Sequence, residues 1–100
     1  MRANRRDGNE REVIAALRGC GCLVVPVNGV GFDLLVGLTR GRGWVCVEVK
    51  DGELAPSRRI LTPAERVFSE VCWGRGLGYV VVTSVSEALD LVQGGNTVEV

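Results

Sequence analysis

This chain predicts an α/β domain with a central mixed sheet flanked by helices, and three observations carry that prediction. Apolar residues recur at helical spacing over 9–18. Four short apolar runs, three of them valine-rich, have the length and composition of strands. Two capping boxes, Thr62-Pro63-Ala64-Glu65 and Ser84-Val85-Ser86-Glu87, mark the starts of later helices. The resulting order is α-β-β-β-α-β-α, which calls for helices on both faces of a sheet. One hundred residues suffice for one hydrophobic core. Residues 9–100 are expected to build it, with 1–8 as a basic N-terminal arm.

The first helix is expected over Asn9–Arg18, where Val13, Ile14 and Leu17 share a face, and Gly19 and Gly21 end it. Leu23–Val27 is a β-branched strand, and Asn28-Gly29-Val30-Gly31 a flexible connection. A second strand runs Asp33–Leu38. The turn Thr39-Arg40-Gly41-Arg42-Gly43 leads into a third, Trp44–Lys50. Asp51–Leu61 reads as a polar loop. Thr62 then caps the second helix, with proline at its first position and Glu65 three residues after the cap, which is worth roughly 0.5–2 kcal/mol. Gly74–Gly78 breaks that helix. The continuous apolar run Tyr79–Val82 suits a buried strand, and Ser84 opens a last helix carrying Ala88, Leu89 and Val92.

A composition of 46% hydrophobic and 24% charged residues excludes a disordered chain. No apolar run is long enough to span a bilayer, and no hydrophobic segment of signal-peptide type follows the Arg-rich start, so a cytoplasmic protein is expected. The net charge is zero, yet Arg2, Arg5, Arg6, Arg40, Arg42, Arg58 and Arg59 fall in three short segments and can make one face positive. Cys20-Gly-Cys22 does not match a zinc spacing, and there is no histidine to complete a site; with Cys46 and Cys72, these are expected to be small buried apolar residues. Trp44 and Trp73 are expected in the core or an interface rather than as base-stacking platforms.

Of the 12 basic residues only Lys50 is a lysine, and it closes the apolar run Trp44-Val45-Cys46-Val47-Glu48-Val49. Arginine is a permanently charged planar fork, whereas lysine is a compact charge that its surroundings can tune. Side chains alternate along a strand, so Glu48 and Lys50 share one face and Val45, Val47 and Val49 the other. A hairpin turning near Gly41 sets Asp33, 8 residues before the turn, beside Glu48, 7 residues after it. Two carboxylates so placed suit Mg²⁺, a hard cation that keeps several waters, and the Val49 carbonyl offers a further oxygen. Lys50 is placed to orient a metal water or offset charge on phosphorus. At 100° per residue Glu10 lies within about 60° of Val13, Ile14 and Leu17 and faces the sheet, while Glu12 faces solvent.

The set Gly8-x-Glu10-Arg11-Glu12-Val13, Gly31-Phe32-Asp33-Leu34-Leu35-Val36 and Val47-Glu48-Val49-Lys50 resembles the PD-(D/E)XK nuclease superfamily. It is most similar to small phage-type virus-type replication-repair nuclease (VRR-NUC) domains and to Holliday junction resolvases. The likeness spans about residues 9–92. It implies a restriction-endonuclease-like αβββαβ core and Mg²⁺-dependent hydrolysis of DNA phosphodiesters by metal-activated water, with Mn²⁺ able to substitute. It further implies a homodimer acting on branched DNA, such as a Holliday junction or flap. By that match Glu10, Asp33, Glu48 and Lys50 take the catalytic positions, with Glu10, Asp33, Glu48 and the Val49 carbonyl toward the metal. Phe32 departs from the family pattern, in which proline commonly precedes the aspartate.

Arg58 and Arg59, just before a helix N-terminus, and Arg5 and Arg6 on the arm are the expected DNA contacts. Glu65 fits the capping box and is open to a site contact as well. A restriction-like or nonspecific nuclease, and a non-catalytic nucleic-acid-binding module of the same fold, stand as alternatives.

Overall fold

The computed structural model describes residues 3–94, and the side chains of residues 9–93 other than Arg58. In chain order the elements are α1 (Ala3–Gly19), β1 (Leu23–Pro26), β2 (Leu34–Leu38), β3 (Gly43–Val49), a 3₁₀ turn (Pro56–Arg58), α2 (Pro63–Gly74), β4 (Gly78–Val82) and α3 (Val85–Gly94). The expected order is therefore found. α1 begins at Ala3 rather than Asn9, so the backbone of residues 3–8, expected as an arm, continues the helix. The side chains of Arg5 and Arg6 lie outside the described residues, as do Arg2 and residues 95–100.

The sheet order is β1-β2-β3-β4, with antiparallel pairing up to β3 and parallel pairing between β3 and β4. The α2 connection supplies the crossover that parallel neighbours need. One face carries Val24, Leu34, Val36, Val45, Val47, Val49 and Val82, buried with Val13 and Leu17 of α1 and Ala88 and Leu91 of α3. Full burial of each such side chain is worth about 1.5–3 kcal/mol, so this layer holds the domain together.

The other face is covered only in part. α2 packs there beside β4, where Phe68 lies 5.2 Å from Phe32 and 6.1 Å from Tyr79, ring to ring. Along β1 and the start of β3 that face is open, with Leu23 58% and Trp44 54% exposed. Trp73 is also exposed, so neither tryptophan belongs to the core. Among the cysteines, all of them free, Cys22 and Cys72 are buried, Cys46 is half-buried and Cys20 is exposed, which corrects the expectation for Cys20 and, in part, for Cys46.

Tyr79–Val82 was expected to be a buried strand, but β4 lies at the sheet edge and Val81 is exposed. An apolar run does not say how many neighbours a strand has. Trp73 protects that edge by donating its indole N–H to the outward Tyr79 carbonyl at 3.3 Å.

Candidate active site

β1 and β3 end, and β2 begins, at one edge of the sheet, and the acidic residues gather there. The β2–β3 register pairs Leu34 with Val47, so Asp33, one residue earlier, opposes Glu48. The Asp33 N–H donates to the Val47 carbonyl at 3.1 Å. In return the Val49 N–H donates to Asp33 Oδ2 at 2.9 Å. The aspartate thus fills the place of the next ladder carbonyl, which locks its carboxylate beside Glu48. Both are buried, Asp33 at 4% and Glu48 at 3% exposure.

Phe32 shows how the chain holds this aspartate without a preceding proline. Its ring packs on Phe68 of α2, and the Tyr79 hydroxyl donates to the Gly31 carbonyl at 2.6 Å. Gly31 is required on steric grounds, because a Cβ there would stand 2.6 Å from the Phe68 ring. Packing and this buried hydrogen bond help to fix the loop.

Lys50 points to the same side as Glu48. Its Nζ lies 2.8 Å from Glu65 Oε1 and 3.3 Å from Glu48 Oε2. Glu65 closes the α2 capping box as well: its Oε1 accepts from the Thr62 N–H at 2.9 Å, and its own N–H donates to Thr62 Oγ1 at 3.2 Å. One carboxylate therefore starts a helix and holds the only lysine. Sequence reasoning placed Glu65 at the cap and left its second role open. A lone ammonium at the end of an apolar strand is itself the signal that an acid must meet it.

The electrostatics follow from this sharing. Burial pulls Lys50 down, but the hydrogen bond to Glu65 and the nearby Glu48 charge more than offset it, and the ammonium sits above its ordinary pKa. Burial raises Glu65, yet its bonds to Lys50 and the Thr62 N–H bring it below the usual carboxylate value. Glu48 is left with the excess. Burial first, then contact with Glu65 and the Asp33 charge, push its carboxyl up to about 8. Glu48 Oε1 is buried and, among the described residues, has no hydrogen-bond partner.

These features fit a divalent cation. Two opposed buried carboxylates, one of them with a strongly raised pKa and an oxygen that no donor among the described residues meets, form a place where a cation would be favoured. Among the described residues no three Cys, Asp or Glu side chains gather closely enough to hold a metal by themselves. The Asp33–Glu48 pair would hold it, with backbone oxygen and water completing the shell.

Glu10 reaches the same edge from α1, on the opposite layer, and is buried there at 6% exposure. With the Asn28 amide nitrogen turned toward it, Asn28 donates to Oε1 at 3.2 Å and Oε2 at 3.1 Å. The neighbouring Asn9 donates its amide to the Lys50 carbonyl at 2.7 Å, tying α1 to the residue that ends the Glu-x-Lys run. Sequence reasoning did not single out either asparagine. Glu12 is exposed, as its helical position requires.

The expected DNA contacts are supported unevenly. The Arg58 side chain lies outside the described residues. Arg59 donates Nε to the Leu54 carbonyl at 2.8 Å, so part of its guanidinium shapes the loop. At the α2 N-terminus Pro63 has no N–H, Glu65 donates to Thr62 Oγ1, and Arg66 donates to the Thr62 carbonyl at 2.8 Å. Only the Ala64 N–H remains for a phosphate, fewer donors than expected for a helix start. Arg42 donates to the Leu91 carbonyl at 3.1 Å and to that of Val92, capping the end of α3 rather than facing the acidic edge.

No protein-family model matches the sequence, and no curated protein matches it. A solved structure described as a VRR_NUC domain does match, with 26% identity and a TM-score of 0.68, over 89% of this chain and 95% of that one. Opposed Asp33 and Glu48, Lys50 beside them, and this likeness over nearly the whole of both chains agree: the chain has a restriction-endonuclease-like α/β fold similar to that of a VRR-NUC domain, the architecture of a nuclease.

Proposed function

We propose that the protein is a Mg²⁺-dependent DNA endonuclease, selective for branched DNA and working as a homodimer. The buried Asp33–Glu48 pair beside the Lys50 ammonium carries this reading, because Glu48 Oε1 is an acceptor that no donor among the described residues meets. Asp33 and Glu48 would hold the ion, with the Val49 carbonyl as a further oxygen. Mg²⁺ keeps several of its waters, so Glu10 need not touch it directly. When bound, the ion lowers the pKa of water and takes up phosphate charge; Mn²⁺ would do the same.

The residues of the chain do the rest. Lys50, held by Glu65, stays an ammonium and offsets charge on the phosphate oxygens. Asp33 is fixed by the Val49 N–H, so the carboxylate pair is ordered before substrate arrives. Arg58 and Arg59 on the loop before α2, with Arg5 and Arg6 on α1, would meet the DNA backbone. The homodimer is supported by the open apolar sheet face bearing Leu23, Val25 and Trp44, together with exposed Val67 and Val71 on α2. Among the described residues no helix is long and apolar enough to cross a membrane.

The test is incubation of labelled four-way junction, flap and linear duplex DNA with Mg²⁺ and with EDTA. Cleavage of junction or flap in Mg²⁺ alone, and its loss in Lys50→Ala, is the expected result. Equal cutting of linear duplex would turn the reading to a restriction-like or nonspecific nuclease. Identical behaviour of parent and Lys50→Ala would leave only a binding module.

A further inference from the structure

Asn28 belongs to a connection that the sequence describes as flexible, yet the structure closes it tightly. The Val27 and Asn28 N–H groups both donate to the Asp33 carbonyl, at 2.7 and 2.9 Å, and the Gly29 N–H donates to the Phe32 carbonyl at 3.0 Å. Asn28 itself sits in the left-handed region with φ of 49°, where asparagine is tolerated and most residues are strained. With its amide nitrogen turned toward α1, the side chain reaches Glu10. There its amide meets both oxygens of buried Glu10.

A single residue therefore ties the helix acid to the strand acid: main chain to Asp33, side chain to Glu10. Its chemistry suits that task. A bond from a neutral donor to a carboxylate is stronger than one between neutral groups, so the amide can orient Glu10 without cancelling its charge. An arginine or lysine there would add a positive charge beside it and repel a cation. An aspartate of the same size would set carboxylate against carboxylate.

We infer that Asn28 is a positioning residue, which sets the Glu10 carboxylate relative to the Asp33–Glu48 pair and so tunes the affinity of that edge for a divalent cation. The inference rests on the proposed metal-dependent nuclease. Asn28→Gly isolates the amide, because glycine adopts the left-handed backbone freely and keeps the hairpin. The measurements are Mn²⁺ affinity of the DNA-free protein by titration calorimetry, melting temperature, and junction cleavage against Mg²⁺ concentration.

The expected result is a melting temperature close to the parent's, with Mn²⁺ binding weakened about tenfold, roughly what the loss of one such bond gives. The Mg²⁺ needed for half-maximal cleavage rises alongside. In a Glu10→Gln background the same substitution adds nothing further, because the two residues act as one unit. Unchanged Mn²⁺ affinity in Asn28→Gly, or full additivity with Glu10→Gln, overturns the inference. So does loss of the fold in Asn28→Gly, which would make Asn28 purely structural. A parent protein that binds no Mn²⁺ and cuts no DNA refutes the nuclease reading itself. Failure of the Asn28 variant alone leaves that reading intact.

Discussion

The starts of α2 and α3 carry the same local motif and do different things with it. At α2, Glu65 reaches back to the Thr62 N–H and also takes Lys50 at 2.8 Å. At α3, the Glu87 N–H donates to Ser84 Oγ at 3.1 Å, but the Glu87 carboxylate passes the cap residue and accepts from the Thr83 N–H at 2.7 Å and its hydroxyl at 3.0 Å. Both arrangements satisfy otherwise orphaned helix donors. Only the first lies beside a half-buried ammonium. A capping motif is thus a local device that tertiary placement can recruit, and in α2 helix stability and site electrostatics rest on one carboxylate.

The largest expected effect sharpens that contrast. Glu65→Ala removes the restraint on Lys50 together with half of the capping box. Cleavage of a junction substrate is expected to fall about 100-fold, the scale for losing one preorganised electrostatic group, with a loss of about 1 kcal/mol in urea unfolding. Parental cleavage rates in this variant would break the link between cap and site.

A pH experiment comes next. Burial first, then contact with Glu65 and the Asp33 charge, leave Glu48 raised from 4.5 to about 8. Below pH 4.5 folded and unfolded chains both carry the Glu48 proton. Between 4.5 and about 8 only the folded chain keeps it, so its contribution to stability is lost as pH rises through that window. Metal-free protein is expected to melt several degrees lower at pH 8.5 than at pH 5.5, and Glu48→Gln to lack that part of the fall. Mg²⁺ should raise the melting temperature more at the higher pH, where no proton competes for the site. A parent and a Glu48→Gln protein with the same pH slope would contradict this account.

Two smaller effects separate the caps themselves. Thr62→Ala leaves the Glu65–Lys50 pair in place but frees the Glu65 N–H, so a loss of about 1 kcal/mol with cleavage reduced only a few-fold is expected. Glu87→Ala is the control: a loss of roughly 0.5–1 kcal/mol with no change in cleavage. A cleavage defect in Glu87→Ala as large as that of Glu65→Ala would erase the difference between the two helix starts.

Much of the architecture was legible from local rules, and its misreadings have physical causes. The seven main elements and their order follow from periodicity, β-branched runs and caps, which are local properties. The opposition of Asp33 and Glu48 follows from counting either side of a turn, because strand register is strict. By contrast, β4 read as a buried strand and lies at an edge, since an apolar run carries no count of its neighbours. Residues 28–31 read as a flexible connection, since the bonds that close it lead to Asp33 and Glu10, and the latter lies far back in the sequence.

What this sequence determined by itself is the set of elements, the face on which Glu48 and Lys50 stand, and the strand acid opposite them, because each depends on fixed periods and short counts. Only the folded chain decided that Glu65 holds Lys50, that Asn28 holds Glu10, and that Glu48 keeps a buried oxygen unmet by any donor among the described residues. Those facts depend on which segments meet at one end of the sheet. Such meetings are set by packing of the whole core, which no single stretch of the chain encodes.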